Sequence, residues 1–134
     1  MLGKVVLSFL LIIFNVGVAS GQQLTVGIVS PPDRAQVPER PLAEGTVSNP
    51  KAAVWVIVHP MEVSDYWVQP KPTVKEDGTW KAQIHTGRPG NADVTKKFEI
   101  MAVADPKRKL KVGDILKDWP EAKAKSQVID VTRK

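Results

Sequence analysis

The chain has 134 residues, with 19 Lys and Arg against 14 Asp and Glu, a formal net charge of +5 and no cysteine. Without cysteine there is no disulfide, no thiol nucleophile and no thiolate metal site, so packing alone has to stabilise the fold. The positive charge is concentrated: residues 22–105 carry nine basic and ten acidic side chains, residues 106–134 nine and four.

The first element in chain order is MLGKVVLSFLLIIFNVGVASG. Lys4 supplies a positive start, residues 5–18 an apolar run of fourteen, and Ala19, Ser20 and Gly21 a small-residue exit. That is the layout of a secretory signal peptide. A membrane-spanning helix needs about 18 or more apolar residues, and this run is also interrupted by Asn15. We expect cleavage near residues 20–22, no lipid anchor because no cysteine follows, and no stable membrane insertion afterwards. Residues 22–134 then form one domain of about 113 residues, long enough to close a single two-layer core. An exported chain without bridges points to a bacterial periplasmic or secreted domain, because small extracellular eukaryotic domains usually carry them. Export also argues against nucleic acid as the partner of the basic excess and for anionic envelope polymers or acidic proteins. A solvated face that keeps the domain soluble is the plainer reading of the same charge.

From residue 22 onward, apolar residues alternate with polar ones, and Pro, Gly, Asn and Asp punctuate the chain every eight to twelve residues or so, the pattern of an all-β sandwich or barrel. Residues 24–29 read as a first strand, stopped by Ser30-Pro31-Pro32-Asp33. Residues 42–47 follow, ended by Ser48-Asn49-Pro50. In AAVWVIVHP, Val54, Val56 and Val58 point one way and Trp55, Ile57 and His59 the other, so this strand is central. VKEDGTW is a hairpin whose register can be tested. A two-residue Asp77-Gly78 loop would mix charges into each apolar face. A three-residue loop, Glu76-Asp77-Gly78 with Gly78 left-handed, pairs Lys75 with Thr79 and places Val74 opposite Trp80, on the face of Ala82 and Ile84. Residues 97–104 make another central strand with Phe98, Ile100 and Ala102 inward, and residues 127–132 close the sheet through Ile129 and Val131.

These segments amount to about seven strands with a tryptophan in the middle of the third. The order EGTV, VWVIVHP, DGTW, FEIMAVA, SQVIDVTRK resembles bacterial immunoglobulin-like sandwich domains of exported proteins. The resemblance covers most of residues 22–134 and implies an antiparallel immunoglobulin-like β-sandwich, with Trp55 at the position of that fold's buried strand-C tryptophan. The paired cysteines of antibody domains are absent. Such domains usually bind, space or present, and by analogy this one is expected to do so.

Two places are candidates for binding. In SDYWVQPKP, continuing the hairpin alternation backward from Val74 puts Pro72, Pro70, Val68 and Tyr66 on the inner face and Trp67 with Gln69 outward. Prolines cannot donate to a ladder, so this strand is expected at an edge. Tyr66 is then core or rim, while Trp67, with Gln69, could stack on a sugar or peptide; the prolines could equally serve only to prevent edge pairing. The second place is residues 106–125, long for a connection and therefore functional or folded in its own right. Gly113-Asp114 can cap a short helical turn, with Ile115 and Trp119 at helical spacing and Pro120 stopping it. Leu110, Ile115, Leu116 and Trp119 could dock this insert on an open end of the sandwich, and Lys107, Arg108, Lys109 and Lys111 could be offered to an anionic partner.

Enzyme chemistry finds no parts in the sequence. His59 and His85 are the only histidines, neither in a metal-ligand spacing, and both read as strand or turn surface residues. There is no GxSxG nucleophile motif. Glu62, Asp65, Glu76 and Asp77 sit at turns where local hydrogen bonding favours acids, without the fixed spacing of a calcium loop. A glycosidase carboxylate pair would need a substrate cleft that a domain this small rarely holds. The expectation is a non-catalytic module without metal or cofactor. Its partner would be an envelope protein, or alternatively a glycan held by exposed aromatics.

Overall fold

The computed structural model describes residues 23–134; the proposed signal peptide lies outside the described residues. The alternating segments form eleven strands: β1 (Val26–Ser30), β2 (Ala35–Val37), β3 (Leu42–Val47), β4 (Val54–Pro60), β5 (Tyr66–Val68), β6 (Thr73–Val74), β7 (Thr79–Gln83), β8 (Lys97–Pro106), β9 (Ile115–Leu116), β10 (Ala122–Lys125) and β11 (Ile129–Arg133). They make two layers. One sheet runs β1-β3-β7-β6; the other runs β2-β11-β8-β4-β5-β9, with β10 also pairing β8. The expectation of about seven strands undercounts because β2, β5, β6 and β9 are pieces of only two or three residues. All pairings are antiparallel except that of β11 with β2, which is parallel.

The pairing of β4 with β8 is the spine. Val54, Val56 and Val58 lie opposite Ala104, Ala102 and Ile100, and all six are buried in the core between the sheets. The alternate residues Trp55, Ile57 and His59 lie opposite Val103, Met101 and Glu99, on the outer face. Both faces of this sheet are therefore covered. The four-stranded sheet covers one and the 106–125 insert the other, where Ile57, Val68, Leu110 and Leu116 form a second buried cluster against Trp55, Tyr66 and Trp119. Each such aliphatic side chain contributes about 1.5–3 kcal/mol when taken fully out of water.

The hairpin register is as the pattern requires. Lys75 N–H donates to Thr79 O at 2.8 Å and Gly78 N–H to Lys75 O at 3.0 Å. Val74 faces Trp80, and Gly78 has φ 87°.

Three expectations are corrected. Trp55 is only part-buried, with Lys71 Nζ 4.5 Å from its ring centroid; the core tryptophan is Trp80, at 1 % exposure, whose indole N–H donates to Thr46 O at 3.1 Å. Residues 66–74 are not one edge strand. The chain leaves the large sheet after β5 and enters the small one at β6, so the alternation breaks across Pro70-Lys71-Pro72. Of the two pieces only β6 is an edge; β5 lies between β4 and β9.

The insert, finally, has no helical turn. Lys111–Asp114 forms a β-turn in which Asp114 N–H donates to Lys111 O at 3.1 Å, with Gly113 at φ 87° supplying the left-handed third position. Gly113 N–H then donates to Val68 O and Val68 N–H to Asp114 O, a glycine-type bulge that launches β9 along β5. Ile115 and Trp119 are thus separated by extended chain, and Ile115 is exposed rather than docked.

Candidate functional site

One end of the large sheet carries a groove of about 580 Å³, lined by β4, β5 and β8 and by the connecting segments around them. Its floor follows from the alternation of the spine: Val58, Pro60 and Phe98 face the sheet interface there, and Trp67, paired with Val58 across β4 and β5, stands beside them as a wall. Two turns complete the mouth. Val63 projects from the β4–β5 turn at 48 % exposure and Val112 from the Lys111–Asp114 turn at 60 %, while Trp67 is 39 % exposed. Ile115, cross-strand from Trp67, extends the same apolar surface. Large apolar side chains at turn tips, where water is the only alternative contact, mark an interaction site more strongly than scattered surface apolars do.

The opposite wall is polar and internally neutralised. Asp93, nearly buried, accepts from Arg88 Nη2 at 3.0 Å, Arg88 Nε at 3.2 Å and the Arg88 backbone N–H at 2.7 Å. These bonds, with Lys96 Nζ at 3.3 Å, hold its carboxyl far below the usual carboxylate range. Lys96 also pairs with Glu62 at 3.2 Å, and the Glu62 and Asp93 bonds raise its ammonium above its ordinary value. This chain of four charges ties the 88–96 segment to the β4–β5 turn.

The wall is pinned from behind by Arg133, a buried β11 side chain. Its Nη1 donates to Thr86 O and Arg88 O, both at 2.9 Å, and its Nη2 to Gly90 O at 2.6 Å. The planar guanidinium can hold three loop carbonyls at fixed angles as no other side chain can.

On the far face of the large sheet lies a separate cluster. The His59 and Tyr66 rings stack with centroids 4.0 Å apart, and Trp119 meets Tyr66 edge-on at 4.8 Å and His59 at 6.0 Å. Burial, then the nearby Asp118 and Glu99 charges, push the Tyr66 hydroxyl above its ordinary pKa. His59 is part-buried and hydrogen-bonded to Glu99, not a surface residue; His85 is exposed and lines the groove.

The residues singled out in the sequence are therefore divided. Trp67 is exposed as expected, but it belongs to the inner face, at the open end, whereas Tyr66 and Val68 belong to the outer face beneath the insert; the inferred faces are exchanged because the chain changes sheets. Gln69 does not face outward. It is 5 % exposed, its Oε1 accepting His85 N–H at 2.8 Å and its Nε2 donating to Trp67 O at 3.4 Å, so it braces the groove rather than offering free polar atoms. Trp119 closes the far-face cluster and does not reach the groove. Lys107, Arg108, Lys109 and Lys111 are exposed, and among the described residues none enters an ion pair. Of the four only Lys111 adjoins the groove, next to Val112.

Val63, Val112, Arg88, Asp93 and Phe98 went unnoticed as site residues. A signal was present for two of them: in EVSD and KVGD a valine occupies a turn whose other members are turn formers. Among the described residues no group of three His, Cys, Asp or Glu side chains is placed to hold a metal ion. Compared with protein-family models, curated proteins and solved structures, the chain matches none.

Proposed function

We propose that this is an exported bacterial binding module of the immunoglobulin-like kind, non-catalytic, that engages a protein partner of the cell envelope by taking an apolar side chain into the groove beside Trp67. Export rests on the layout of residues 1–21, and the immunoglobulin-like assignment on the order of the strand motifs. The observation that carries the binding reading is the groove itself: a cavity over the buried Val58 and Phe98, with the large apolar side chains Val63, Trp67 and Val112 exposed together around its mouth. Its charged wall is already paired internally, and the buried amide of Gln69 is committed to backbone groups, so what the site offers a ligand is apolar contact. Hot spots of protein interfaces are apolar anchors seated in such pockets. The unpaired cations of residues 107–111 would steer an acidic partner toward this end without fixing its grip.

The test uses an apolar fluorescent probe, anilinonaphthalene sulfonate, and envelope extracts. Wild-type protein should bind the probe with energy transfer from tryptophan and retain an envelope protein that the probe displaces. Val112→Asp and Trp67→Ala should lose both. Retention unaffected by probe and by both variants would reject the groove as the site.

The position of Trp67 favours one second reading, a glycan module in which a sugar ring stacks on the indole. Pelleting with purified peptidoglycan that resists high salt and is abolished in Trp67→Ala would establish that reading in place of the first.

A further inference from the structure

His59 sits between two hydrogen-bond acceptors. Its Nδ1 lies 2.8 Å from Glu99 Oε1, and its Nε2 lies 2.7 Å from the backbone carbonyl oxygen of Val63. A neutral imidazole carries one N–H and one lone pair, so it can satisfy only one of these partners and sets a lone pair against the other. The imidazolium satisfies both. The ring cannot turn away from the conflict, because it is stacked at 11° on Tyr66 and closed in by the edge of Trp119. The titratable groups against it are Glu99 from β8, hydrogen-bonded to its Nδ1, and Tyr66 from β5, stacked on its ring, while Asp118, next to Trp119 in the insert, is a further charge near Tyr66. All three are acids, and the salt bridges within this cluster include no other cation.

The acceptor on the Nε2 side is not part of the sheet. Val63 tops the turn that follows β4; the start of the turn is tied to β8 by Met61 N–H to Lys97 O at 3.0 Å, and its tip is held otherwise by Val63 N–H to Pro60 O at 3.2 Å and by the Glu62–Lys96 pair. That turn supplies Glu62, Val63 and Asp65 to the groove. His59 belongs to the far face of the sheet and Val63 to the groove mouth, so one ring joins the two.

We infer that His59 is a proton-controlled latch on the groove: protonated, it fastens the Val63 turn across the mouth, and on losing its proton it keeps its one remaining N–H on the Glu99 carboxylate, the stronger acceptor, and lets the turn go. The inference rests on the groove being the binding site. It adds that the site is firm while the ring carries its second proton and loosens once the imidazole gives it up. A ligand requiring Val63 in place is gripped below that transition and released above it.

The experiment is an NMR titration of the protein between about pH 5 and 8, following the His59 ring, the amides of residues 62–65 and amide exchange in the same turn. The turn amides should shift with the His59 midpoint, and their exchange, corrected for its intrinsic pH dependence, should rise about tenfold or more above it, the size expected for one lost charge-assisted hydrogen bond. His85 also lines the groove, and its resolved ring signal identifies any effect it has of its own. In His59→Gln the turn should be loose and independent of pH, with unchanged amides of the hairpin around Glu76-Asp77-Gly78 reporting an intact fold. Turn amides that stay flat while His59 titrates, or a His59 that does not titrate in this range, overturn the latch whatever the variants do. Anilinonaphthalene sulfonate binding separates the two readings. Binding that is present but the same at both ends of the titration leaves the groove standing and removes the latch's hold on it, and no binding at either end rejects the groove itself.

Discussion

Gly45 lies directly beneath the indole of Trp80. A Cβ at position 45 would run into the carbonyl oxygen of Gly27 on one side and the six-membered ring of Trp80 on the other, so the missing side chain of β3 makes the space that the largest core side chain of β7 fills. The two are cross-strand partners, and the small sheet can close on the large one only because one is absent where the other is big. Gly45→Ala should therefore cost at least about 3 kcal/mol by overpacking against backbone and ring together. Trp80→Ala should cost about 3–5 kcal/mol, and Trp55→Ala, on its part-exposed outer face, only about 1–2 kcal/mol. Denaturant melts of the three variants check the order, and a Trp55 loss equal to that of Trp80 would contradict it.

Trp67→Ala removes a ring that is 39 % exposed and should cost about 1–2 kcal/mol, well short of the Trp80→Ala loss. The same variant should lose apolar-probe binding. A melt and a probe titration on one sample separate a groove wall from a core prop.

Arg133→Met keeps the length of the side chain and abolishes its three bonds to loop carbonyls. With charge-assisted bonds contributing about 1.5–3 kcal/mol each and not adding fully, a loss of about 3 kcal/mol or more is expected. Amide exchange at residues 86–90 should accelerate beyond the global change. Arg133→Lys should not restore it, because an ammonium cannot fork to carbonyls on three residues.

Asp93 governs the acid side of stability. Its folded pKa is depressed by Arg88, so the unfolded chain takes up the proton first, at the ordinary aspartate value of about 3.9. Its contribution is present above that value and is lost as the pH falls toward the lower folded value. Wild-type protein should lose stability below about pH 4, and Asp93→Asn, already weaker at neutral pH, should show a shallower decline there. Melts at a series of pH values between about 2 and 7 give both slopes.

Local chemistry was legible where two independent requirements met on the same residues. The hairpin at Glu76-Asp77-Gly78 could be placed because a left-handed glycine and the facing of Val74 with Trp80 demand one register. β3, the central β4 and the inward set of β8 followed from alternation in the same way. Alternation tells which residues share a face, not which layer covers it. Trp55 and Trp80 each lie on an apolar face, and only the tertiary arrangement, a glycine opposite one and a thin insert over the other, decides which is the core. Gln69 was misplaced because alternation was carried through Pro70-Lys71-Pro72, where the chain passes between sheets. The helical spacing of Ile115 and Trp119 was overruled by the glycine bulge that aligns Ile115–Leu116 with β5. The groove is made by one end of the large sheet and the connections around it, with residues from 58 to 113 meeting in space, and no short stretch contains it.

The parallel pairing of β11 with β2 brings Val131, Thr132 and Arg133 against Ala35, Gln36 and Val37, two segments almost a hundred positions apart. At a synthesis rate of about 5–20 residues per second, β2 has left the ribosome for about 5–20 seconds before its neighbour exists. In the later part of that interval, once residues 86–106 have been made, the central β8 still lacks the β11 that will flank it, and the carbonyls of the 86–90 loop lack the guanidinium that will gather them. The large sheet thus gains its last pairings, β11 with β8 and with β2, only when nearly all of the residues described have been made.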